Sequence, residues 1–146
     1  MSVSMKKGVS LLLAFALCLS LSGVVYAADN PEGAAAVNPS PQWDNTTSIE
    51  VNLSVPNGKA ICGVIVIGKP GTTEITGQAV LARKNSNGTY TNVKTWSNLR
   101  AVGDVFTLDG VYYVDPGYTY RLTATATVYR NGTGETVTAY HEAYAS

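Results

Sequence analysis

The stretch Tyr118-Thr119-Tyr120-Arg121-Leu122-Thr123-Ala124-Thr125-Ala126-Thr127-Val128-Tyr129 decides the fold. Its period is two. Tyr118, Tyr120, Leu122, Ala124, Ala126 and Val128 fall on one side, and Thr119, Arg121, Thr123, Thr125, Thr127 and Tyr129 on the other. Successive side chains of a strand point to opposite faces, so this reads as a long strand with one apolar and one polar face. Arg130-Asn131-Gly132-Thr133-Gly134 follows as a hairpin loop, because Asn-Gly accepts positive φ at little cost. Glu135 to Tyr144 returns from it, with Thr136, Thr138, Tyr140, Glu142 and Tyr144 on the polar side.

The same period recurs toward the N-terminus. Ile49, Val51 and Leu53 alternate with Glu50, Asn52 and Ser54, a half-buried strand, and Pro56-Asn57-Gly58 closes it as a turn. Ala60 to Ile67 is apolar on both faces, as a central strand would be. Glu74 to Arg83 places Ile75, Ala79 and Leu81 on one side. Asn85 to Gly88 is a hairpin loop, and Thr89 to Trp96 returns from it. There the spacing of Tyr90, Val93 and Trp96 by three predicts a bulge. Asn98 to Asp104 reads as a loop, and Val105 to Val114, interrupted at Asp109-Gly110, as a fifth strand or a pair of short ones. The expectation is an all-β, two-sheet antiparallel sandwich of six to seven strands over 48–146.

Val114-Asp115-Pro116-Gly117-Tyr118-Thr119-Tyr120 resembles the penultimate-strand signature of immunoglobulin and fibronectin type III-like sandwiches. The resemblance gives Tyr120 the tyrosine-corner role, its hydroxyl bonding back to the preceding loop. The chain lacks the early-strand Trp of type III domains and the paired cysteines of antibody domains. It is also similar to a group of short exported single-domain proteins of Gram-positive bacteria without an assigned activity. The residues that carry this are Gly58-Lys59-Ala60-Ile61-Cys62, Gly88-Thr89-Tyr90-Thr91-Asn92-Val93, Trp96 and Tyr120-Arg121-Leu122. The resemblance implies fold and export only.

Residues 1–27 read as a signal peptide. Lys6 and Lys7 precede an apolar run from Val9 to Leu21, and Val25-Tyr26-Ala27 ends it with residues suited to cleavage before Ala28. The expected compartment is therefore extracellular, with no membrane attachment after cleavage. Leu17 before Cys18 departs from the small residue a lipoprotein signal needs. Residues 28–47, with Pro31, Pro39 and Pro41, read as a disordered linker on whose far side Trp43 docks at the domain edge. Beyond residue 27 the chain holds eight Lys/Arg against ten Asp/Glu, a formal charge of −2. No basic stripe is available for nucleic acid.

Catalytic and metal constellations are not expected, and no cofactor is implied. Cys62 lies among small and β-branched residues with no neighbouring cation, so it reads as a buried structural thiol, with Trp96 and Tyr120 as further structural residues. His141 shares the parity of Val137 and Ala139 and should face inward or sit at the rim. Asp104, Asp109 and Asp115 lack calcium-loop spacing. The Asn-x-Ser/Thr triplets at Asn45, Asn52, Asn87 and Asn131 are read as turn chemistry.

The polar side of the last hairpin is the one feature that suggests a ligand. Arg121, Tyr129, Tyr140 and Tyr144 beside several threonines would stack and hydrogen-bond a glycan or a peptide or protein partner. A merely solvated strand face, which Thr and Tyr also suit, is the other reading. The expected function is a secreted, non-enzymatic binding or adhesion module. A self-associating structural or matrix component is the first alternative. A small secreted hydrolase or inhibitor is disfavoured for want of a nucleophile–base pair.

Overall fold

The computed structural model describes residues 42–146. The expected leader over 1–27, with Cys18, and the expected linker as far as 41 lie outside the described residues. Seven strands form: β1 (Thr46–Ser54), β2 (Lys59–Gly68), β3 (Thr72–Lys84), β4 (Tyr90–Val102), β5 (Val105–Tyr113), β6 (Thr119–Arg130) and β7 (Thr133–Tyr144). They make a three-stranded sheet of order β1-β2-β5 and a four-stranded sheet of order β4-β3-β6-β7, antiparallel throughout. The described residues form an all-β, two-sheet sandwich.

Alternation builds the core. Ile49, Val51, Leu53, Ala60, Cys62, Val64, Val66 and Phe106 face inward from the smaller sheet. Ile75, Ala79, Leu81, Tyr120, Leu122, Ala124, Ala126, Val128, Val137 and Ala139 face them from the larger. Burying each large aliphatic side chain contributes roughly 1.5–3 kcal/mol against the cost of ordering it. The β6–β7 turn needs only Asn131 and Gly132, both with positive φ (51° and 77°), the geometry that matches strand twist in a tight hairpin.

The two sheets meet along two seams of different chemistry. On one side β1 lies against β7, and the join is polar. The carboxylate of Glu135 accepts the backbone N–H groups of Asp44 (2.6 Å), Asn45 (3.0 Å) and Thr46 (2.9 Å) and the Thr46 hydroxyl (2.8 Å). The Asn45 amide donates to the carbonyls of Val128 and Thr133. On the other side β4 meets β5 through Trp96, whose ring stands where a Cβ on Gly110 would be, at 2.8 Å. Gly110 is thus a space for the indole.

Four expectations change. The order of the chain begins before Ser48, since β1 starts at Thr46 and Asn45 and Thr46 are buried, whereas the expected docking of Trp43 is present. The span 98–104 is not a loop, because β4 continues to Val102 and only Gly103-Asp104 turns. Its polar residues face solvent from an edge strand, which imitates loop composition. The Asp109-Gly110 interruption is absent, since β5 runs through both, Asp109 outward and Gly110 beneath Trp96. Finally, β2 is central in its sheet but buried on one face only, with Ile61 44% and Ile65 39% exposed.

Candidate functional site

The outer face of the four-stranded sheet is built in rows fixed by the strand register. Arg121 lies beside Glu142 on β7 and Ala82 on β3, and Thr123 beside Tyr140 and Val80. Thr125 pairs with Thr138 and Gln78, and Thr127 with Thr136 and Thr76. Tyr129 pairs with Gly134, six residues along β6 from the Tyr140 row. At about 3.4 Å per residue these rings are roughly 20 Å apart. The four expected ligand residues therefore share a face but do not form one cluster. Tyr129 stands alone over Gly134, whose Cβ position lies 2.9 Å from its ring.

Arg121 organises the other end. Its guanidinium carbon lies 4.1 Å from the centre of the Tyr90 ring and 4.4 Å from that of Tyr140, so the cation is held between two aromatic faces. It donates through Nε to Glu142 Oε1 at 2.8 Å, and Nη2 approaches the same oxygen at 2.7 Å. The Tyr90 hydroxyl donates to that carboxylate as well. Ala82, on the outer face beside Arg121, is only 7% exposed, and a side chain that small leaves room for the guanidinium to lie across β3 toward Tyr90. Each cation–π contact contributes about 0.5–1 kcal/mol at such a site.

Electrostatics fix the protonation states. Burial pushes the Glu142 carboxyl up, but hydrogen bonds from Tyr90 and Arg121 and the charges of Arg121 and Lys84 outweigh it, and the net displacement is downward. Burial first, and then the Glu142 carboxylate, raise the Tyr90 phenol, which stays a donor. Tyr144, opposite Thr119, is largely exposed beside this group.

Between the aromatic end and Tyr129 the face is hollow. A cavity of about 420 Å³ is lined by Thr76, Gln78, Asn98, Arg100, Thr125 and Thr127 among others. Its wall is a bulge in β4. Gly77 pairs with Leu99 and Ala79 with Trp96, so Ser97 and Asn98 together oppose Gln78, and Asn98 takes a left-handed φ of 56°. A second irregularity between Leu81 and Ala82 leaves Val93 as the extra residue, which brings Val93 and Trp96, three apart, both to the core side, while Tyr90 faces outward beside Arg121. The Thr125–Thr138 and Thr127–Thr136 hydroxyl pairs, at 3.3 and 3.0 Å, line up along the adjoining strands.

The remaining candidates lie elsewhere. Cys62 is buried and burial pushes its thiol up to about 11, so it stays protonated at neutral pH. His141 is half-buried, and its Nδ1 accepts the backbone N–H of Leu53 at 2.9 Å, linking β7 to β1. Tyr120 is 1% exposed and its hydroxyl donates to the Asp115 carbonyl at 2.8 Å, the geometry of a tyrosine corner. Among the described residues no three His, Cys, Asp or Glu side chains converge as a metal ion would require. Nor does any described helix have the length and apolarity to cross a membrane.

Tyr90, Asn98, Arg100 and Gln78 are absent from the sequence-based set. The bulges hide the parity of β4, and Tyr90 joins Arg121 only through a third strand. The hairpin register, Lys84 opposite Tyr90, is the signal from which its place follows. Compared with protein-family models, with curated proteins and with solved structures, the chain matches none of them.

Proposed function

We propose that this chain is a secreted, non-enzymatic binding module of immunoglobulin or fibronectin type III-like form. Its ligand is an extended polyhydroxylated chain, a glycan, laid along β6 on the outer face of the four-stranded sheet. The observation that carries the reading is the cavity between Tyr129 at one end and Arg121, Tyr140 and Tyr144 at the other. Hydroxyls, amides and a guanidinium line its middle, and aromatic rings bracket it. Sugars present hydroxyls at their edges and C–H groups on their faces, so this arrangement suits them. The roughly 20 Å span accommodates several sugar units in a row.

Export is supported by the lysine-led apolar segment at 1–27, which also favours a Gram-positive-type bacterial source. The strand order, with β4 beside β3, and the Tyr120 hydroxyl bond support the sandwich type. The absence of catalysis is supported by a protonated Cys62 and a His141 whose Nδ1 is already engaged. Affinity electrophoresis of the exported protein through gels containing soluble polysaccharides tests the reading. At least one should retard it. Gln78→Ala with Arg100→Ala, both exposed, should weaken that binding at least about 30-fold without moving the melting curve. Retardation by none, or undiminished affinity in the double variant, contradicts the proposal.

A further inference from the structure

The outer face of the three-stranded sheet has the opposite character. A solvated sheet face ordinarily carries polar side chains. Here Ile61 and Val111 stand side by side across β2 and β5 with 44% and 50% exposure, and Ile67 pairs with Val105 in the same way. Ile65 and Tyr113 extend the patch along the strands. Beside Ile61, Gly63 leaves a hollow of about 240 Å³ bordered by Asn52, Ser54 and Asp109. The two ion pairs among the described residues are Arg100–Glu74 and Arg121–Glu142, so Lys59 and Asp109, both exposed on this face, have no ionic partner there.

We propose that two copies of the chain pack face to face through this surface, about a two-fold axis that runs across the strands at the Ile61–Val111 row. Lys59 of each copy then enters the hollow over Gly63 of the other, beside Asp109.

Register and charge select this alignment. Lys59 and Gly63 lie two residues either side of Ile61 on β2, and in the same rows Tyr113 and Asp109 lie two residues either side of Val111 on β5. An axis at the Ile61–Val111 row therefore places Lys59 over Gly63 and Tyr113 over Asp109, twice by symmetry. It brings aliphatic side chains together at the centre and opposite charges at the flanks. An axis one row further, at Gly63–Asp109, would stack Asp109 on its own copy. An isologous interface requires such self-complementarity, and closure at two copies follows from it.

The overlap is small. Three strands about 4.8 Å apart and three outward rows about 6.8 Å apart, those of Lys59, Ile61 and Gly63, cover roughly 300 Å² per copy. A stable interface takes about 800 Å² per partner, so the dimer is weak and concentration-dependent. It leaves the cavity on the opposite sheet open in both copies, and it is independent of what binds there.

Sedimentation velocity of the exported protein, over a roughly hundred-fold concentration range up to about 1 mM, tests this. The weight-average coefficient should rise from monomer toward dimer and no further. Ile61→Lys should hold the protein monomeric throughout. Lys59→Glu should weaken dimerisation at least about tenfold, and Lys59→Glu with Asp109→Lys should restore it to within about threefold of wild type. Amide NMR shifts on dilution provide a readout that needs no variant, and they should centre on Ile61, Gly63, Asp109 and Val111. A wild type monomeric at the highest concentration, species larger than two, dilution shifts elsewhere, or a charge reversal without rescue would each overturn the proposal.

Discussion

The two outer faces of this sandwich depart from ordinary solvated sheet in opposite directions. On β4-β3-β6-β7 the outward residues are threonines, tyrosines and ions that bond to one another across strands, as in the Tyr90–Arg121–Tyr140–Glu142 group. On β1-β2-β5 the central strand turns Ile61 and Ile65 outward beside Lys59 and Gly63, with no layer over them among the described residues. One face is internally satisfied but concave, and so offers hydrogen bonds around a hollow. The other exposes aliphatic side chains around the hollow at Gly63, and so offers apolar area. The same alternation that builds the core produced both, and the difference lies entirely in the second residue of each pair.

The bond that joins the two faces should carry the largest effect. Glu135→Ala removes the acceptor for three backbone N–H groups at the start of β1 and loosens that end of the strand from β7, while the Leu53–His141 bond holds the other. We expect a loss of about 2–4 kcal/mol in urea unfolding, and earlier proteolysis at 42–47 than elsewhere. The acid limb provides a second reading. Burial raises the Glu135 carboxyl, but hydrogen bonds from the Thr46 hydroxyl and the Asp44, Asn45 and Thr46 N–H groups bring it below its ordinary value of 4.5. A depressed folded value contributes stability that is full above the unfolded value and lost as pH falls through the folded one. Melting should therefore be level from neutral pH down to about 5 and decline below 4.5, and Glu135→Gln should flatten that decline.

Tyr120→Phe should cost about 1–3 kcal/mol, because the Asp115 carbonyl loses its donor while the ring stays packed. This separates what holds the two sheets from what either face does, since both outer surfaces remain intact. Thermal melts with unchanged near-ultraviolet circular dichroism are the expected result.

The smallest effects distinguish the faces most sharply. Arg121→Ala should cost about 1–2 kcal/mol, from two cation–π contacts and a half-exposed ion pair. Ile61→Thr should stay within about 0.5 kcal/mol of wild type, because no side chain of the described monomer depends on it and Thr keeps the strand preference. Equal costs in paired urea melts would mean that the networked face and the unpartnered face are energetically alike.

Much of the geometry of the β6–β7 outer face was legible because it is local. The parity of Tyr118–Tyr129 and Glu135–Tyr144 and the turn at Asn131-Gly132 follow from the two-residue period and one dipeptide. What was not legible depends on register or on distant partners. Two bulges in β4 shift Trp96 and Leu99 out of a simple period, so residues 98–102 imitate a loop and Tyr90 loses its place. The Glu135 anchor joins residues about 90 apart in the chain, and no local pattern announces it. The run from Ala60 to Ile67 predicts two buried faces, but burial of the second needs a layer that the described residues do not supply.

The central claim is that the concave face of the four-stranded sheet takes the ligand. Amide NMR of the protein, titrated with linear oligosaccharides of several units, tests it most directly. The account predicts saturable shifts at Thr76, Gln78, Asn98, Arg100, Thr125 and Thr127, with weaker ones at Tyr129 and Tyr140. Shifts confined to Ile61, Val105 and Val111, or no shift with any oligosaccharide, would contradict it.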